Sequence, residues 1–116
     1  MDDRDLGRRI KIGRLMDFYG PLITERRREI MQLYCEEDMS LQEIAQLMTD
    51  RGHPVTRQGV YDAVTKSEKQ LSEYEEKLGL IDRYDRMAEE ARKCLRSLEA
   101  GKVDEAKESL EKMTEL

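Results

Sequence analysis

Ser40-Leu41-Gln42-Glu43-Ile44-Ala45-Gln46-Leu47-Met48, followed after a break by Thr56-Arg57-Gln58-Gly59-Val60-Tyr61-Asp62-Ala63-Val64, is the stretch that decides the fold. Ser40-x-x-Glu43 is a capping box: the serine hydroxyl accepts from the Glu43 amide while the Glu43 carboxylate reaches back to the Ser40 amide. Leu41, Ile44, Ala45 and Met48 then recur at i, i+3, i+4 and i+7, one face of an α-helix. Residues 49–55 break the pattern. Gly52 ends the helix in a left-handed conformation, and Pro54 biases His53 away from helical angles. Thr56 caps a second helix whose underside is Val60 and Val64. Two capped helices in succession, with the small Ala45 at their close approach, form the pattern of a helix-turn-helix. The second helix of such a pair offers its first turns to a nucleic-acid groove.

On that second helix Arg57, Gln58, Tyr61, Thr65 and Lys66 lie away from the Val60/Val64 face. Arginine suits a phosphate or a guanine edge and glutamine an adenine edge. Thr56 and the helix N-terminus suit a phosphate. Asp62 faces the same way and repels phosphate. Glu68, Glu73, Glu75 and Glu76 exclude the later turns, so only the first two turns are candidate readers. Arg26-Arg27-Arg28 is the one basic run. It reads either as a solvated helix face or as phosphate contacts beside the recognition helix. Capped amphipathic helices also occur in any small bundle, and the spacing alone leaves both readings of this surface open.

Working outward, Ile12, Leu15, Met16 and Tyr19 predict a helix over 8–19, stopped by Gly20-Pro21. Thr24 caps a helix carrying Ile30, Leu33 and Tyr34, which ends near Glu36-Glu37-Asp38. Beyond the recognition turns, Val60, Val64, Leu71, Tyr74 and Leu78 are spaced by threes and fours with Ser67 in the gap, a heptad seam that predicts one helix over 57–78. Ile81, Tyr84, Ala88, Ala91, Leu95 and Leu98 repeat the alternation after Gly79. Ala100-Gly101 ends that helix, and Val103, Ala106, Leu110 and Met113 make a last short one. The organisation is a helix-turn-helix domain over 8–70 with a long turn at 49–55, then an extended helix and C-terminal helical hairpin over 71–116. Seams this long need a partner. Antiparallel packing within one chain and a homodimer through the same surfaces both satisfy them.

Composition agrees with an all-α chain. Of 116 residues, 41% are charged, 38% hydrophobic and 5% aromatic, with no Trp, one Phe and two Pro; β-sandwiches and barrels need more β-branched and aromatic content. The net charge is −5, so any nucleic-acid binding must come from a local patch. Residues 1–35 are the one basic portion, with eight basic and six acidic side chains. No apolar run reaches the ~20 residues of a membrane span, and no secretory h-region follows MDDRDLGRRIK; both point to the cytoplasm and to reduced thiols at Cys35 and Cys94. Neither cysteine has a Cys-x-x-Cys partner or a nearby histidine, and lone His53 sits in a Gly/Pro loop, so no metal site is expected. No phosphate-cradling glycine loop, nucleophile elbow or paired-carboxylate pattern occurs. The expectation is a protein without cofactor or catalytic residues, not an enzyme.

Several blocks together resemble the YlxM-like family. Asp17-Phe18-Tyr19-Gly20-Pro21-Leu22, Thr24, Tyr34, Asp38, Ser40-Leu41, Glu43-Ile44-Ala45, Thr56-Arg57-Gln58-Gly59-Val60-Tyr61-Asp62 and Tyr74-Glu75-Glu76-Lys77-Leu78 run in that family's order over about residues 12–80. The family looks like region 4 of sigma factors carried on a helical protein. The resemblance implies a sigma-region-4-like helix-turn-helix and a nucleic-acid-facing role for Arg57, Gln58 and Tyr61. It also implies a regulatory role or one with the signal recognition particle, beside whose components family members are encoded. The target would then be DNA or the particle's structured RNA. The alternative is an adaptor that docks a protein of the particle through its acidic helical surface. The turn at 49–55 is several residues longer than the family's, and Thr56 stands where serine is usual.

Overall fold

A computed structural model of the chain describes residues 3–116, and among these it is entirely helical: α1 (Asp3–Tyr19), α2 (Glu25–Cys35), α3 (Leu41–Asp50), α4 (Arg57–Leu78), α5 (Leu80–Glu99) and α6 (Val103–Met113), with a short 3-10 turn at Gly20–Leu22. The chain divides into two compact units at Leu78–Gly79.

In the first unit, helices α1 to α4 enclose one core. Ile12, Leu15 and Tyr19 of α1, Ile30, Met31, Leu33 and Tyr34 of α2, Ile44, Ala45 and Met48 of α3, and Val60, Val64 and Leu71 of α4 are buried. These are the stripes that the 3.6-residue period selects. α1 starts at Asp3 rather than near residue 8 and carries Gly7 within it, with no proline to stop it. Residue 70, where the sequence reading ends the first domain, lies inside α4. The reason is that α4 continues to pack there: Leu71 is fully buried, and the Tyr74 ring lies 6.1 Å from that of Tyr19.

Helix ends follow the predicted caps. The Thr24 hydroxyl accepts from the Arg27 amide at 3.3 Å. Ser40 and Glu43 form both halves of the capping box, each at 3.1 Å. These bonds to Ser40, backbone first, hold the Glu43 carboxyl below the usual carboxylate range. Arg9, which no sequence pattern singles out, fixes the α2–α3 corner. It is 8% exposed, and its guanidinium donates to the carbonyls of Tyr34 and Met39. It also stacks 4.0 Å from the Tyr34 ring centroid and lies 3.7 Å from the Asp38 carboxylate. Nearby Cys35 is half-buried, and burial pushes its thiol up to about 12, so it stays protonated at neutral pH. Both cysteines are free thiols.

The second unit is a hairpin of α5 and α6. Its helices close on small residues. Cys94, Ala106 and Ser109 are buried, with Glu90, Ser97 and Met113 half-buried beside them. The seam predicted on α5 does not make this closure. Tyr84 is 58%, Leu95 57% and Leu98 53% exposed. Glu90, Cys94 and Ser97, at i, i+4 and i+7, form a neighbouring stripe in which the short side chains of Cys94 and Ser97 let the backbones approach, while Tyr84, Leu95 and Leu98 are turned outward.

Candidate nucleic-acid interface

The corner between α3 and α4 is a built structure. Thr49 and Asp50, read from sequence as turn, complete α3. Gly52 has φ 89°, and the amides of Gly52 and His53 donate to the carbonyls of Thr49 and Met48 at 3.0 and 2.9 Å. This double closure needs a left-handed residue at Gly52. The Thr49 hydroxyl accepts from the Val55 amide at 3.3 Å. From outside, α2 braces the corner: Arg26 bonds the His53 ring at 2.8 Å, and Arg51 pairs with Glu29 at 2.7 Å. The longer turn therefore presents α4 in one orientation.

Helix α4 begins at that corner. The Thr56 hydroxyl accepts from the Gly59 amide at 3.0 Å, which caps the helix and leaves the first-turn amides of Arg57 and Gln58 without intrahelical acceptors. Gly59 is required by packing: a Cβ there would stand 2.8 Å from Val55 Cγ2. Val60 and Val64 are fully buried, so the opposite face points away from the core. Thr56, Arg57, Gln58, Tyr61, Thr65 and Lys66 are all exposed, Tyr61 at 44%. The structure thus brings the expected α4 residues together on one outward surface. Asp62 shares it and accepts from the Gln58 amide nitrogen at 3.0 Å.

The three arginines of α2 part company. Arg26 is exposed at the corner, against His53. Arg27 donates to Gln70 of α4 at 2.9 Å; Gln70 donates to the Tyr74 hydroxyl at 2.8 Å, which donates to the Leu22 carbonyl. Arg28 donates to the carbonyls of Gly20 and Ile23. Arg27 and Arg28 are half-buried and fasten the unit together. Arg8 of α1 is a further cation that sequence reading does not select. It lies 3.4 Å from the Thr65 hydroxyl and 3.3 Å from Glu68. Their separation of 57 and 60 residues leaves no periodic signal for this approach. Arg8, Arg57 and Lys66 give α4's leading surface its positive charge, and Asp62 and Glu68 limit it.

A fixed corner, a capped second helix and polar side chains on that helix's outward first turns define a helix-turn-helix protein. The model of the UPF0122 family, described as "Putative helix-turn-helix protein, YlxM / p13 like", matches residues 6–114, and the chain belongs to this family. A UPF0122 protein of Desulforamulus reducens is 40% identical over 102 residues, covering 88% of this chain and 83% of the relative. One from Caldanaerobacter subterraneus subsp. tengcongensis is 43% identical over 79 residues, covering 68% of this chain and 63% of the relative. One from Clostridium perfringens strain 13 is 41% identical over 78 residues, covering 67% and 65%. No solved structure matches the chain. Among the described residues, no helix is long and apolar enough to cross a membrane.

Proposed function

We propose that the chain is a cytoplasmic regulator that binds duplex nucleic acid through the start of α4. The observation that carries this reading is the joint exposure of Arg57, Gln58 and Tyr61 on a helix start locked by the Thr56 cap and the closed corner. Arg57 and Gln58 are placed for base edges in a major groove. The Thr56 end, Lys66 and Arg26 are placed for flanking phosphates, with Thr65 beside them. Arg27 contributes by holding α2 to α4 through Gln70, and Arg28 by fastening the turn between α1 and α2.

A role beside the signal recognition particle follows from the family resemblance. An RNA target would be held through phosphates and shape, since the deep groove of an RNA duplex admits a helix poorly. Titration of the full chain with duplex DNA and with the particle's folded RNA, over a range of salt, tests the reading. Binding is expected to fall steeply with salt. Arg57→Ala is expected to cost about 1–3 kcal/mol on the true target. The adaptor alternative predicts protein capture that survives nuclease and ignores Arg57→Ala.

A further inference from the structure

One flank of α4 carries a cation that comes from another helix. Arg57, Tyr61 and Thr65 follow four residues apart and line that flank, and Glu68 continues it one turn on. Arg8 of α1 lies against its far end. The Arg8 Nη2 is 3.4 Å from Thr65 Oγ1 and 3.3 Å from Glu68 Oε1, and Nε is 3.4 Å from Glu68 Oε2. None of these contacts uses the two N–H groups of Nη1. Guanidinium–carboxylate bonds are usually about 2.7–2.9 Å long, as between Arg51 and Glu29 at 2.7 Å. The Arg8–Glu68 pair is therefore loose. It is also partly wet, with 30% of one side chain and 22% of the other exposed, and a pair of this kind fastens two helices weakly.

We propose that Arg8 is a phosphate-binding residue of the α4 surface and that Glu68 is its built-in competitor. In the free chain the carboxylate holds the guanidinium; on docking, a backbone phosphate of the nucleic acid takes it over. The proposal rests on the reading that the start of α4 binds nucleic acid. A helix lying in a groove turns its outward face to the base edges and its flanks to the sugar–phosphate backbone, and Arg8 stands on a flank. Carboxylate and phosphate accept the same planar fork, so the exchange asks only for a phosphate within reach of Arg8. Thr65 accepts from Arg8 in the free chain, and its own hydroxyl proton is there to donate to that phosphate. Glu68 also sets a threshold. A polyanion passing over the surface gains little from Arg8, because it must first displace the carboxylate. A duplex seated on Arg57 and Gln58 brings a phosphate to the flank and gains the contact. The pair thus favours seated over unseated binding.

Fluorescence anisotropy of a labelled, random-sequence DNA duplex, titrated with the full chain over a range of salt, tests the proposal. Arg8→Ala is expected to weaken binding several-fold at low salt and to lower the slope of log affinity against log salt by about one. Arg8→Lys keeps the charge and is expected to restore the slope, which also covers the case in which Arg8→Ala unfolds the first unit. Glu68→Gln is expected to tighten binding several-fold, and to lose most of that gain in the Arg8→Ala background, where no guanidinium is left to release. A wild-type chain that binds the duplex while Arg8→Ala changes neither affinity nor slope overturns the proposal and leaves the reading of α4 standing. An equal gain from Glu68→Gln with and without Arg8 overturns it too, because the carboxylate then acts only by repelling the duplex. Absence of binding by both wild type and Glu68→Gln overturns the reading of α4, and the proposal with it.

Discussion

The Tyr19 hydroxyl donates to the Glu75 carboxylate, tying the last turn of α1 to the far half of α4. Both residues fall in blocks shared with the YlxM-like pattern, Asp-Phe-Tyr-Gly-Pro and Tyr-Glu-Glu-Lys-Leu. The bond gives those blocks a structural purpose: Tyr19 is fully buried, and its phenol needs an acceptor there. Tyr19→Phe keeps the packing and removes the donor. It is expected to lower the stability of the first unit by about 1–2 kcal/mol, as a lost bond to a charged acceptor does. Urea unfolding followed by circular dichroism measures this, and an unchanged midpoint would show that the bond contributes nothing.

Gly59 lies in an exposed first turn, where alanine ordinarily improves a helix by about 0.5–1 kcal/mol. Here the added Cβ meets Val55 Cγ2 at 2.8 Å, so Gly59→Ala is expected to destabilise by about 1–3 kcal/mol through overpacking. Removing the obstacle should reverse the sign: in a Val55→Ala background the same change is expected to be neutral or stabilising. Additive effects in the double-mutant cycle would refute the steric account.

The capping box of α3 makes a pH prediction. Glu43 is held below the usual carboxylate range by its bonds to Ser40. A depressed folded value means that the contribution is present above the unfolded carboxylate value and is lost as pH falls through the folded one. The stability difference between wild type and Glu43→Gln is therefore expected to be largest near neutrality and to shrink as pH falls below the usual carboxylate range. A difference that grows on acidification would contradict the capping role.

Asp62 is the one carboxylate among the leading residues of α4, bonded to Gln58. Asp62→Asn keeps a side-chain oxygen for Gln58 and removes the charge that repels phosphate. It is expected to tighten nucleic-acid binding by about 1 kcal/mol at low salt, with the gain shrinking as salt screens the surface. Weaker binding would mean that Asp62 itself contacts the ligand, through a base donor.

The caps at Thr24, Ser40 and Thr56 and the buried stripes of α1 to α4 were readable because each is a local pattern: a side chain meeting an amide three residues on, or a 3.6-residue period. The same period turned Gln58, Tyr61 and Thr65 away from Val60 and Val64; Arg57 falls on the valine stripe by period and is exposed because it is the first residue of α4. Partners distant in sequence were not readable. Nothing local distinguishes Arg9, sunk onto the carbonyls of Tyr34 and Met39, from Arg57 on the surface. Nor does the run Arg26-Arg27-Arg28 show that its last two members turn inward. On α5 the period was visible, but two stripes satisfied it. The choice of the Glu90-Cys94-Ser97 stripe rests on how closely α6 can approach, which only the folded hairpin decides.

The most direct test of the central claim is the salt-dependent affinity of the full chain for nucleic acid, compared with that of the Arg57→Ala/Gln58→Ala double variant. The account predicts one preferred target, a steep linear fall of log affinity with log salt, and loss of that preference in the double variant with its helical content intact. Equal affinity of wild type and double variant for every duplex and folded RNA tried would contradict it.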